Sequence, residues 1–111
     1  MPRVSLSLTE LKILRSNLYV IWSRDSDRYL SEELKNQRAE FNKLFEKVDA
    51  ILGQKKSSSF YLEIDNKFLV SIINSIDEVL KALDWELHII TGFDGHEFLA
   101  LRDRLKSFLR S

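Results

Sequence analysis

Two runs of strict alternation and four stretches of helical periodicity organise the chain. Val4, Leu6 and Leu8 alternate with Arg3, Ser5 and Ser7, the period of two of a strand with one buried face. Thr9 follows as an N-cap whose hydroxyl can take a free backbone N–H, and Glu10 suits the positive end of a helix. Leu11, Leu14, Leu18 and Ile21 then recur three and four apart, with Ile13, Val20 and Trp22 widening the stripe. This predicts a helix from about Glu10 to Ser23.

The polar segment Arg24 to Arg28 breaks the pattern, although with neither Gly nor Pro a continuous helix stays open. Ser31, Glu32 and Glu33 start a second helix. Leu30, Leu34, Gln37, Phe41, Leu44, Val48 and Ile51 step by four and three, a heptad-like seam with a polar residue inside it. A helix packed within its own domain accounts for that seam more simply than a two-chain coiled coil. Gly53 reads as its stop. The stretch from Gln54 to Ser59 is short, polar and patternless, the composition of a surface connection.

Phe60, Leu62 and Ile64 then alternate with Tyr61 and Glu63, Asp65 stands as a cap, and a broad apolar face runs from Phe68 through Ile72, Ile76 and Val79 to Leu83. This is the most hydrophobic helix of the chain and the expected centre of its core. Residues 86–90 read either as a third short strand or as an extended connection. Thr91 to Gly95 is a turn by composition, and Asp94 with Glu97 forms an acidic capping box. Phe98, Leu101, Leu105, Phe108 and Leu109 complete a last helix.

Laid on one another at an offset of about 57 residues, the two halves share this order, and apolar positions such as Leu11 and Leu69 or Phe41 and Phe98 coincide. The expected fold is therefore α+β and helix-dominated: a single domain over 1–111 of two βαα halves, 3–52 and 59–109, joined by loop 53–58. It has four helices and two or three short strands, which pair while the helices stack around one core. An all-α four-helix bundle is the alternative. The halves match through apolar helical positions that align easily, so shared architecture is read here without common origin.

Composition narrows the function more than it names it. A chain of 111 residues, 44% hydrophobic and 31% charged, matches one globular domain. Seventeen basic and seventeen acidic side chains cancel, which leaves no basic stripe for nucleic acid. Cysteine is absent, removing disulfides, thiolate ligands and a cysteine nucleophile, and making the cytoplasm the default expectation. Glu10, Lys12 and Arg15 interrupt any apolar leader, and no run is long enough to cross a bilayer.

The chemistry-bearing residues do not converge. His88 and His96, even with Asp94 and Glu97, match no ligand spacing, and read better as one half-buried and one surface histidine. No serine sits in a glycine-flanked elbow, and three glycines cannot build a phosphate loop. The adjacent carboxylates Glu32/Glu33 and Asp77/Glu78 point apart on helices. Neither a catalytic residue nor a cofactor or metal site is expected. What remains is aromatic: Trp22, Arg24, Arg28 and Tyr29 cluster in sequence, and Trp, Tyr and Arg dominate protein–protein hot spots. The same rings could instead cap the ends of the core. The expected function is a small non-enzymatic protein-binding, regulatory or accessory module whose partner is another protein or a second copy. A small-ligand or nucleotide-sensing domain with a pocket between the halves is the rival.

Overall fold

The computed structural model describes residues 3–23, 28, 30–54, 59–83 and 86–109. β1 (Arg3–Ser7) pairs antiparallel with β2 (Ser59–Glu63), with Ser5 opposite Tyr61 at the centre of the register. The alternation sorts as expected: Val4, Leu6, Phe60 and Leu62 turn into the core, while Arg3 lies 4.3 Å over the Tyr61 ring on the open face. Along β1, the Ser5 carbonyl accepts from Arg104, 3.2 Å away.

Each strand leads into a long helix. α1 spans Leu8–Trp22, two residues earlier than the Thr9 cap predicts. Ser7 is the cap instead: its hydroxyl accepts from the Glu10 N–H, and the Glu10 carboxylate accepts from the Ser7 N–H at 2.9 Å. Two donors satisfied reciprocally outweigh the single bond Thr9 would offer. α4 (Asn66–Leu83) begins where expected, with the Asp65 carboxylate accepting from the Phe68 N–H at 2.7 Å. Leu11, Leu14, Leu18 and Ile21 of α1, like Leu69, Ile72, Ile76 and Val79 of α4, are essentially fully buried. At about 1.5–3 kcal/mol for each such side chain, these two stripes supply much of the driving force for folding.

The described helices number six, not four. The expected second helix is broken into α2 (Glu32–Asn36) and α3 (Arg38–Gln54) at Gln37, whose φ of −97° and ψ of 6° leave the helical region. The polar residue in the heptad-like seam thus marks a bend. Leu34, Phe41, Leu44 and Val48 are all buried inside the chain, and α3 packs chiefly on α1, so the seam is not a dimerisation stripe. α3 also runs through Gly53, which does not end it.

The second correction concerns 86–90. These residues form neither a strand nor an extended connection but α5 (Glu86–Thr91), which leaves the sheet two-stranded. Leu87 alone is buried there, while Ile89 is 71% exposed. A strand would have had to bury one alternating face, and the core offers room for a single side chain. Gly92, at φ 81°, takes the left-handed conformation after α5, and its N–H donates to the His88 carbonyl at 2.8 Å.

α6 (Gly95–Lys106) carries the expected Asp94–Glu97 capping box. It stops short of Phe108 and Leu109, which follow in a turn and pack half-buried on the core. Arg102 ties α6 to α4 through Asp77 at 2.7 Å; that hydrogen bond, more than the Coulomb attraction beside it, raises the guanidinium pKa further above its ordinary value. Both halves therefore read strand, long helix, short helix, long helix, and one cluster of buried side chains runs through them from Val4 to Leu105. Where α1 crosses α4 the core is polar at one point: Asn17 Nδ2 donates to Ser75 Oγ at 3.1 Å, with both residues fully buried.

Candidate interaction surface

α1 is buried on one side by α4 and the sheet, but its opposite side lies at the floor of a long groove. Leu8, Lys12, Ser16, Tyr19 and the C-cap Ser23 follow one another at steps of three and four along that side, with Arg15 beside Ser16, a helical stripe that runs the roughly 22 Å length of the fifteen-residue α1. Three depressions join along it. The largest, about 810 Å³, lies at the Leu8 end between the last turns of α3 (Asp49, Leu52, Gly53) and the α5–α6 turn (Thr91, Phe93). It shares Arg15, Ser16 and Thr91 with a middle depression of about 220 Å³, which also reaches Tyr19 and Ile90. Those two residues border the third, about 270 Å³, closed by Ser23, Arg28, Leu83 and Glu86.

The walls are held in place by specific bonds. Thr91 Oγ1 donates to the Leu87 carbonyl at 2.7 Å and accepts from the Phe93 N–H at 3.1 Å, which fixes the turn carrying Phe93 into the groove. Across the groove, Arg15 Nε meets Asp49 Oδ1 at 2.7 Å, and its guanidinium lies 5.3 Å from the Phe45 ring centre. The Tyr19 ring stands 6.3 Å from Phe45 and 5.9 Å from Trp22, an aromatic row along the outer end of α1. The Lys12 ammonium is exposed and has no partner among the described residues.

Exposed large hydrophobics gather here. Tyr19 (48%), Trp22 (53%), Ile89 (71%) and Ile90 (49%) lie on α1 and α5; elsewhere among the described residues only Tyr61 and Val70 belong to that class. About half of Tyr19 and of Trp22 faces water. Of the four residues singled out from sequence, Trp22 belongs to this row and Arg28 lines the third depression, while Arg24 and Tyr29 lie outside the described residues. Sequence reasoning missed Ile89 and Ile90 as surface residues because it read them as strand or connection. It also missed Lys12, Ser16 and Tyr19 as one stripe, although their spacing of four and three was visible.

Other chemistry does not assemble. His88 and His96 are both exposed on different helices, which corrects the half-buried reading of His88, and no group of three potential metal-ligating side chains occurs among the described residues. No described helix is long and apolar enough to cross a membrane. Comparison with protein-family models, curated proteins and solved structures returns no match to this chain.

Proposed function

We propose that this chain is a small non-enzymatic protein-binding module, regulatory or accessory in type, and that the α1–α5 face is its binding surface. The observation that carries this reading is that Tyr19 and Ile90, each about half exposed, line one groove, with exposed Trp22 beside the Tyr19 ring and exposed Ile89 next to Ile90 on α5. Apolar residues scattered singly need no explanation, but a contiguous patch with a polar rim is the form that partner sites take. Tyr19 in the groove, Trp22 beside it, and Arg15 and Arg28 along the lining are of the residue types that concentrate binding energy. The balanced charge argues against a nucleic-acid partner, and a chain without cysteine suits a cytoplasmic setting.

One observation favours a second reading. The 810 Å³ depression draws its lining from both halves and sets the Lys12 ammonium beside apolar Leu8, Leu52 and Phe93, a shape that would suit a small anionic ligand. The two readings separate in a pair of experiments. The immobilised chain is used to capture proteins from an extract of its native cell, alongside a Trp22→Glu variant, and the free chain is screened for a rise in melting temperature with anionic metabolites. Proteins retained by the wild type and lost by the variant support the module. A ligand-induced rise with no such proteins overturns it in favour of the small-ligand reading.

A further inference from the structure

We infer that the depression of about 810 Å³ at the Leu8 end of the groove binds a free organic monoanion with a plain apolar body, that is, a simple aliphatic or aromatic carboxylic acid. The inference rests on the small-ligand reading of that depression and narrows its ligand class. It leaves the outer end of the groove to a protein partner.

Shape separates the two ends. Tyr19 and Ile90, which stand half exposed, line the outer depressions, whereas no exposed large hydrophobic lines the Leu8 end. There Leu8, Leu52 and Phe93 are half-buried in the walls of a hollow, one each from α1, the last turn of α3 and the turn before α6. On the α3 side stands Gly53, where a Cβ would meet nothing within 4 Å, so no side chain closes that wall. The volume lies within the roughly 300–1,000 Å³ usual for small-molecule sites, and an apolar lining with few polar groups is their usual make-up.

The polar groups then choose the ligand. Ser16 Oγ already donates to the Lys12 carbonyl at 3.1 Å, and Thr91 Oγ1 is engaged by the Leu87 carbonyl and the Phe93 N–H. A sugar or nucleoside, rich in hydroxyls, would therefore find few partners here. Arg15 Nε is held by Asp49 at 2.7 Å, so these two charges answer each other. The Lys12 ammonium has no partner among the described residues, which leaves the lining, with two cations to one anion, a single positive charge in excess. One anionic head can meet that charge while an apolar body lies against Leu52 and Phe93.

The test is a titration of the isotope-labelled chain with octanoate, read by amide shifts in two-dimensional nuclear magnetic resonance. Saturable shifts are expected around Lys12, Ser16, Leu52 and Thr91, with a dissociation constant of roughly 0.1–5 mM for a ligand of this size in an open site. Octanol, which lacks the charge, and acetate, which lacks the body, should each bind roughly fivefold or more weakly. Lys12→Glu, at an exposed position, should keep the folded spectrum and weaken octanoate by roughly fivefold or more at low salt. No saturable shift at this depression up to about 10 mM overturns the inference. So does octanol binding as tightly as octanoate, or octanoate binding unchanged by Lys12→Glu. Acetate or inorganic phosphate binding there as tightly as octanoate overturns the apolar body alone and leaves the small-anion reading standing.

Discussion

The buried contact between Asn17 and Ser75 makes an asymmetric prediction. Asn17 Nδ2 donates to Ser75 Oγ at 3.1 Å, and Ser75 Oγ donates onward to the Ile72 carbonyl at 2.6 Å; the buried Asn17 Oδ1 has no partner among the described residues. Replacing Ser75 with Ala leaves the whole Asn17 amide unsatisfied in the core, and each stranded polar group costs about 1–3 kcal/mol. For a chain of 111 residues that lowers the melting temperature by roughly 4–12 °C. Replacing Asn17 with Leu is different. It removes the orphaned Oδ1, keeps the branching of the side chain, and leaves the Ser75 hydroxyl still donating to Ile72. Its expected effect lies between neutrality and a gain of about 1 kcal/mol, and Asn17→Leu with Ser75→Ala should recover most of what Ser75→Ala alone loses. Urea unfolding of the four proteins reads the cycle directly. If Asn17→Leu proves the more destabilising single change, the hydrogen-bond account of this crossing is wrong and packing governs it.

Three further outcomes follow from the same structure. Ser7→Ala removes one arm of the α1 capping box and should cost about 1 kcal/mol in denaturant unfolding. Phe41→Ala empties a fully buried position of α3, beside Phe68, and should cost about 3–5 kcal/mol, enough to leave much of the chain unfolded at 37 °C. Asp49→Ala breaks an ion pair whose members are 42% and 53% exposed, and should change stability by less than about 1 kcal/mol, with the difference vanishing in high salt.

How much of this could be read from the residues depends on how local the cause is. The strands, the α1 and α4 stripes and the Asp65 and Asp94 caps were legible because a few neighbouring side chains decide each of them. The Ser7–Glu10 box was equally local, but Thr9 stood beside it as a second plausible cap. The bend at Gln37 was harder, since heptad spacing continues across it and sets Leu34 and Phe41 on one face of an unbroken helix as well. Residues 86–90 carry an apolar run that suits strand and helix alike, and what decided them was a core with room for Leu87 only. The groove as a whole could not be read, although Arg28 and the α1 spacing that contribute to it were visible. Its lining comes from α1, Arg28, the ends of α3 and α4, α5 and the α5–α6 turn, parts of the chain that only the packed fold brings together.

The claim that matters most is that one face, and not apolar exposure in general, carries partner recognition. Glutamate placed singly at the six exposed large hydrophobics, Tyr19, Trp22, Tyr61, Val70, Ile89 and Ile90, tests it against whichever protein or second copy the wild type retains. The measurement is the dissociation constant of each variant by surface plasmon resonance. Weakening of roughly tenfold or more at Tyr19, Trp22, Ile89 and Ile90, with Tyr61 and Val70 unchanged, is the predicted pattern. Equal weakening at all six, or loss confined to Tyr61 and Val70, would contradict it.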